Sequence, residues 1–261
     1  MRQDEKQPFL SHLEELRKRL IYCAISVGIG FLVTYIFSED IFTLLIMPLK
    51  KSLPESDKLI FTNLPEMFIT YIKTSFIAGI LLSSPVIFYQ MWMFIAPGLY
   101  QNEKRFVIPF VVFSTVLFVG GALFGYFVVF PFGFRFFLGY ANDYIQALPS
   151  VKQYFSFSTK LLFAFGIVFE LPVVIYFLTR MGIVSVSFLR KNRKYAILLT
   201  FMMGAILTPP DVMTQCMMAL PLLLLYEVGI IIAMMAEKKK KKEKEAQEAP
   251  ETKEKGTKKH Q

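Results

Sequence analysis

Long uncharged apolar runs, separated by short charged segments, dominate the chain. Residues 20–37, 74–100 and 106–134 carry no charged side chain. A hydrocarbon core of about 30 Å takes roughly 20 helical residues to cross, so each of these runs is long enough. Residues 161–179 form a fourth run, interrupted only by Glu170. Residues 195–210 are uncharged but number only 16, and residues 212–226 are followed by Glu227 and nine further uncharged positions. "TPPD", at positions 208–211, separates those last two runs. Pro209 and Pro210 cannot continue a helix, so they predict a tight hairpin turn. The pattern predicts an all-α polytopic membrane protein. Its six transmembrane helices lie at about 20–37, 72–98, 106–131, 158–180, 195–209 and 212–234, within a membrane domain over residues 1–236. Helices five and six are short: 16 helical residues reach about 24 Å.

The polar residues between the runs set the orientation. Of 29 lysines and arginines, 22 fall on the face shared by both termini and seven on the other. The positive-inside bias therefore predicts cytoplasmic N- and C-termini. The external segments 38–73 and 135–160 contain amphipathic stretches such as "EDIFTLLIMPL" and predict an outer cap of short interfacial helices. Residues 237–261 are lysine-rich with no apolar face, which predicts a disordered cytoplasmic tail near anionic lipid. Pro85, in "LLSSPVIFYQ", predicts a kink in the second span.

Composition agrees with this reading. At 54% hydrophobic and 16% aromatic residues, the chain is too apolar for an ordinary soluble domain. The first run is longer than a signal-peptide core and lacks a small-residue cleavage site. Cys23 and Cys216 lie far apart in apolar segments and read as small buried hydrophobes. Two histidines are too few for a multi-histidine metal site. Phosphate-loop, dinucleotide, H-E-x-x-H and G-x-S-x-G motifs are absent, so no enzyme activity and no cofactor is expected.

The acids carry the candidate chemistry. On a helix, Phe9, Leu13, Leu16 and Leu20 share one stripe, and Glu14 and Glu15 face Lys18 and Arg19 at i,i+4 spacing. Spacing alone favours ordinary surface pairs worth about 0.3–0.5 kcal/mol each. Composition alone likewise favours reading Glu103, beside Lys104 and Arg105, as a solvated loop charge. Taken together, Glu15 and Glu103 are two carboxylates on the cytoplasmic face, and each can accept a guanidinium in a geometry lysine reproduces poorly. Glu170 lies near the middle of span four, where a carboxylate is expensive. It is protonated, faces a wet cavity, or pairs with a polar group on another helix. Gln90, Thr208 and Gln215 are polar groups in or beside spans, suited to hold helices together.

"HLEELRKRL", "SSPVIFYQMWMFIAPGLYQNEKR", "FGYFVVFPFGFRFF", "FAFGIVFELPVV", "LRKNRKY" and "LTPPDVMTQ" occur in that order from about residue 8 to residue 234. These blocks resemble the TatC subunit family of the twin-arginine protein translocase. The resemblance implies a core receptor that binds twin-arginine signal peptides of folded cargo on the cytoplasmic face. It implies work with TatA- and TatB-type single-span partners, self-association in a receptor complex, and export driven by the proton-motive force. It assigns signal-peptide recognition to Glu15, Glu103 and Phe94, an intramembrane functional acid to Glu170, partner docking to Thr208 and Gln215, and an outer-loop proline to Pro48. Glu14 matches no family acid. A proton-coupled small-solute carrier using Glu170 is the alternative; the internal repeat expected of many carriers is missing.

Overall fold

The computed structural model describes residues 6–53, 59–95, 107–142, 144, 146–207 and 212–257. Among these, all regular structure is helical: α1 (Lys6–Ile36), α2 (Ser38–Lys50), α3 (Glu66–Ile95), α4 (Val107–Phe124), α5 (Phe130–Leu138), α6 (Val151–Phe169), α7 (Leu171–Met181), α8 (Val186–Lys191), α9 (Arg193–Leu207) and α10 (Val212–Thr257). A π-helical turn, Gly125–Val129, joins α4 to α5. Five helical stretches are long and apolar enough to cross a membrane: His12–Ile36, Glu66–Ile95, Val107–Leu138, Val151–Met181 and Gln215–Lys238. The third continues past residue 131, where the run was expected to end, because "FPFGFRFFL" is itself a good apolar helix. At the expected fifth span the structure has α9, a helix of 15 residues. The chain divides into two compact units, Met1–Ile167 and Val168–Gln261.

In the first unit, α1 and α3 pack antiparallel through two stripes of small residues. Ser26, Gly30 and Thr34 on α1 meet Ser83, Gly79 and Ser75 on α3. The Thr34 hydroxyl donates to the Ser75 carbonyl at 2.6 Å, and the Ser83 hydroxyl donates to the Ser26 carbonyl at 2.8 Å. A Cβ on Gly79 would lie 2.6 Å from the Phe31 backbone nitrogen. Only glycine allows this approach. Without a hydrophobic drive between helices in lipid, close backbone packing and interhelical hydrogen bonds supply the association.

Two prolines inside helices have their lost bonds replaced. Pro48 lies buried within α2 and leaves the Leu44 carbonyl without its helical donor. The Tyr126 hydroxyl donates to that carbonyl at 2.5 Å, and the Tyr154 hydroxyl donates to the next one, Leu45, at 2.5 Å. Pro85 in α3 leaves the Leu81 carbonyl, and the Ser84 hydroxyl donates to it at 2.7 Å. Hydroxyl groups commonly re-satisfy backbone freed by proline in membrane helices.

The loops at the start of α3 and α6 are clasped by Glu66, which is buried. Its carboxylate accepts from the backbone nitrogens of Thr62 (3.0 Å), Asn63 (3.3 Å) and Lys152 (3.0 Å), and from the Thr62 (3.3 Å) and Ser150 (3.4 Å) hydroxyls. An isolated parallel bridge, Ile60 to Ser150, runs alongside. The glutamate also reaches back to the backbone N–H of Asn63, three residues earlier, as the acid of a capping box does.

The second unit is centred on Ile175, Val186, Leu189, Ile230 and Ala233. Gly229 lets the Ile175 side chain lie against the backbone of α10, where an added Cβ would meet it at 2.5 Å. The Glu237 carboxylate accepts from the Val186 backbone nitrogen at 2.8 Å, serving the open N-terminus of α8 beside the Ser185 cap. The expected tail boundary at residue 237 is not a break in the backbone: α10 runs on to Thr257. Lysine, glutamate and alanine, which fill this stretch, are strong helix formers.

Candidate functional site

Glu15 sits two turns into the described part of α1, at the end of the α1–α3 pair where α3 finishes. Arg19, one turn further on, contacts Glu15 Oε1 through both Nε (3.0 Å) and Nη2. Its Nη1 also donates to Gln90 Oε1 on α3 at 3.3 Å. The i,i+4 pair read from spacing is therefore present, and it is braced from the neighbouring helix. No described residue bonds Glu15 Oε2. The Glu15 side chain is 35% exposed and that of Arg19 is 17% exposed. The result is a carboxylate fixed on one edge and open on the other.

One turn beyond Gln90, Phe94 stacks on His12 with ring centroids 4.3 Å apart and planes 18° apart. Two side-chain contacts, Arg19 to Gln90 and His12 to Phe94, thus lock the start of α1 against the end of α3. Trp92 packs between them in sequence and donates through Nε1 to the Ser114 hydroxyl at 3.2 Å, bringing α4 to the same end. Glu103, the second expected recognition acid, lies outside the described residues, as do Thr208, Pro209 and Pro210.

The remaining expected positions fall elsewhere. Glu170 is the single residue between α6 and α7, two positions before Pro172, and its carbonyl accepts from Val174 at 3.0 Å. It is half-buried and stands at a discontinuity within the apolar stretch Val151–Met181. Gln215, at the start of α10, donates its side-chain amide to the Phe201 carbonyl on α9 at 2.8 Å, and its stem lies on Gly204. Its amide is thus engaged inside the α9–α10 hairpin. Glu227 pairs with Arg193 at 2.7 Å across the same two helices. Pro48 and Pro85 lie inside α2 and α3 with the substitute hydrogen bonds described above.

Sequence reasoning missed Arg19 as a brace, His12 as a stacking partner, Glu66 as a clasp and the two small-residue stripes. The last two had legible signals: an Asn-x-x-Glu spacing at 63–66, and small residues every fourth position at 26, 30, 34 and at 75, 79, 83.

Apolar helices, an antiparallel pair held by glycine and serine, and charged groups gathered at helix ends define a multi-pass helical membrane protein. Polar residues serve here to join helices. The family model for the Sec-independent protein translocase protein (TatC) matches residues 11–221. The chain belongs to the TatC family. It is 56% identical over 238 residues to the Sec-independent protein translocase protein TatC of Desulforapulum autotrophicum, covering 91% of this chain and 88% of that one. It is 44% identical over 227 residues to TatC of Escherichia coli strain K12, covering 87% of this chain and 88% of the relative. A crystal structure of the twin-arginine translocase receptor TatC superposes with a TM-score of 0.76 at 45% identity, covering 86% of this chain and 99% of the other. The chain is thus a multi-pass protein of the cytoplasmic membrane and a component of Sec-independent, twin-arginine protein translocation. The small-solute-carrier reading of Glu170 finds no support in this family.

Proposed function

We propose that this protein is the receptor and scaffold subunit that binds twin-arginine signal peptides of folded cargo on the cytoplasmic face. It has six spans with both termini in the cytoplasm. Glu15 takes one signal arginine and Glu103 the other, with Phe94 beside them. The observation that carries the reading is the state of Glu15: one oxygen is held by Arg19, and the other is open at the edge of α1. An arriving guanidinium meets an acceptor already aimed, so little side-chain entropy is lost on binding. Arginine is favoured over lysine because its planar fork spans two acceptors, whereas an ammonium is a point charge.

Glu170 serves the transport step, at the break between α6 and α7. Thr208 and Gln215 receive a single-span TatA- or TatB-type partner at the α9–α10 hairpin, and Pro209 and Pro210 shape that turn. For Gln215 this requires its amide to exchange the Phe201 carbonyl for a group on the partner helix. Export draws on the proton-motive force.

The test is binding of labelled Arg-Arg and Lys-Lys signal peptides to the full chain in lipid nanodiscs. A hydrogen bond to a charged group contributes about 1.5–3 kcal/mol, so Glu15→Gln is expected to weaken Arg-Arg binding roughly tenfold or more. The Lys-Lys peptide is expected to bind weakly to both proteins. Unchanged Arg-Arg binding in both Glu15→Gln and Glu103→Gln would remove the recognition role.

A further inference from the structure

The first unit contains two cavities that share a wall. One, of about 520 Å³, lies where α3 and α6 begin, and Lys73, Lys152 and Lys160 line it together with Glu66. The other, of about 230 Å³, is almost wholly apolar and follows α3 past Ile77, Ala78 and Leu81. Phe155 and Thr159 line both, so the polar and the apolar cavity lie side by side along α6.

We propose that this cleft holds one anionic phospholipid, with its phosphate among the three lysines, its ester group at Thr74 and an acyl chain along the apolar cavity. Each part of the lipid meets matching chemistry. None of the three lysines pairs with a carboxylate among the described residues. Glu66 does not cancel them as a ligand, because both its oxygens are already taken by the five donors of the clasp. With one carboxylate against three ammonium groups, the mouth keeps an excess of two positive charges. Next comes Thr74, one residue after Lys73 on α3. It is buried, it lines the apolar cavity, and its hydroxyl has no hydrogen-bond partner among the described residues. An unmade buried hydrogen bond is costly, and an ester carbonyl at this depth would accept it. From Lys73 to Leu81 the helix rises about 12 Å, in the direction a chain would run from its headgroup. Leu44, Leu123 and Phe127 on the rim are 55%, 49% and 67% exposed, so the apolar cavity opens sideways towards the bilayer. A free phosphate would use only the lysines and leave Thr74 and the apolar walls without a role.

Native mass spectrometry of the delipidated full chain tests the proposal. Phosphatidylglycerol and phosphatidylcholine are added separately, and inorganic phosphate is added as competitor. Wild type is expected to retain phosphatidylglycerol at least about tenfold better than phosphatidylcholine, given the favourable contribution of each basic residue to an anionic lipid. Replacing Lys73, Lys152 and Lys160 together by glutamine is expected to abolish that preference. Thr74→Val is expected to lower retention of both lipids severalfold without lowering Tm, since the lost hydroxyl bonds no described residue. Equal retention of the two lipids by wild type, or a preference that survives in the triple variant, overturns the anionic headgroup site. Full displacement by inorganic phosphate, or retention unchanged in Thr74→Val, overturns the lipid in favour of a free-anion site.

Discussion

The hydrogen bond from Tyr126 to the carbonyl that Pro48 leaves open lends itself to a double-mutant cycle. Proline at 48 removes the N–H that would have bonded the Leu44 carbonyl, and the Tyr126 hydroxyl stands in at 2.5 Å. Tyr126→Phe leaves that carbonyl with neither donor. Interhelical hydrogen bonds in membrane proteins average about 0.6 kcal/mol with a ceiling near 1.7. An unsatisfied buried carbonyl adds about 1–3 kcal/mol. Leu44 is half-exposed towards the apolar phase, so the lower end of both ranges applies, and the expected loss is about 1.5 kcal/mol. For a chain of this size that is roughly 3–6 °C in Tm. In a Pro48→Ala background the alanine N–H restores the helical bond, and Tyr126→Phe then removes only a second donor, costing about 0.5 kcal/mol. The cycle therefore predicts a coupling of about 1 kcal/mol between positions 48 and 126. Thermal unfolding of the four proteins in one detergent measures it. An equal cost of Tyr126→Phe in both backgrounds would refute the substitute-donor account.

Other outcomes follow from the same packing. Gly79→Val should lower Tm sharply or prevent accumulation in the membrane, because its Cβ would meet backbone rather than a movable side chain; wild-type levels and Tm would contradict the close α1–α3 approach. Glu66→Ala should cost about 2–4 kcal/mol by stranding several donors, seen as early proteolysis of the segments around residues 62 and 150; an unchanged cleavage pattern would count against the clasp. Glu227→Gln should change Tm by less than about 0.5 kcal/mol equivalent, since both members of its pair with Arg193 are about half exposed; a large loss would mean the pair is shielded. Replacing Glu170 with Ala should impair cargo transport in vesicles while Arg-Arg peptide binding is retained; equal loss of binding would assign Glu170 to the receptor site.

Much of this fold is legible from hydrophobic runs because a bilayer demands long uninterrupted apolar helices, and five such stretches stand where runs were read. The exceptions have local causes. A single acid followed by Pro172 divides one apolar stretch into α6 and α7, which a hydropathy reading alone treats as one span. The π turn at 125–129 joins two helices so smoothly that the span outlasts its expected end. Pair contacts were legible only where their spacing is local, as for Glu15 and Arg19. Gln90, 71 positions from Arg19, could be read as glue but not given a partner. Lys73, Lys152 and Lys160 are three of the seven basic residues counted on the outer face; their gathering at one cavity depends on how α3 and α6 stand together.

The proposed role of Glu15 places particular demands on this helix pair. A carboxylate recognises an arriving arginine well only if its direction is fixed before contact. Arg19 fixes Glu15, Gln90 fixes Arg19, and Gln90 is carried by α3. The chain of support is therefore only as rigid as the α1–α3 joint, which glycine and serine hold at backbone contact over Ser26–Thr34 and Ser75–Ser83. Lipid-facing helices packed through large side chains could shift by a rotamer and carry Gln90 out of reach of a 3.3 Å bond. Small residues leave no such freedom. Loosening the pair at Gly30 or Gly79 should therefore weaken signal-peptide binding about as much as losing Gln90, although both glycines lie several turns from the open carboxylate.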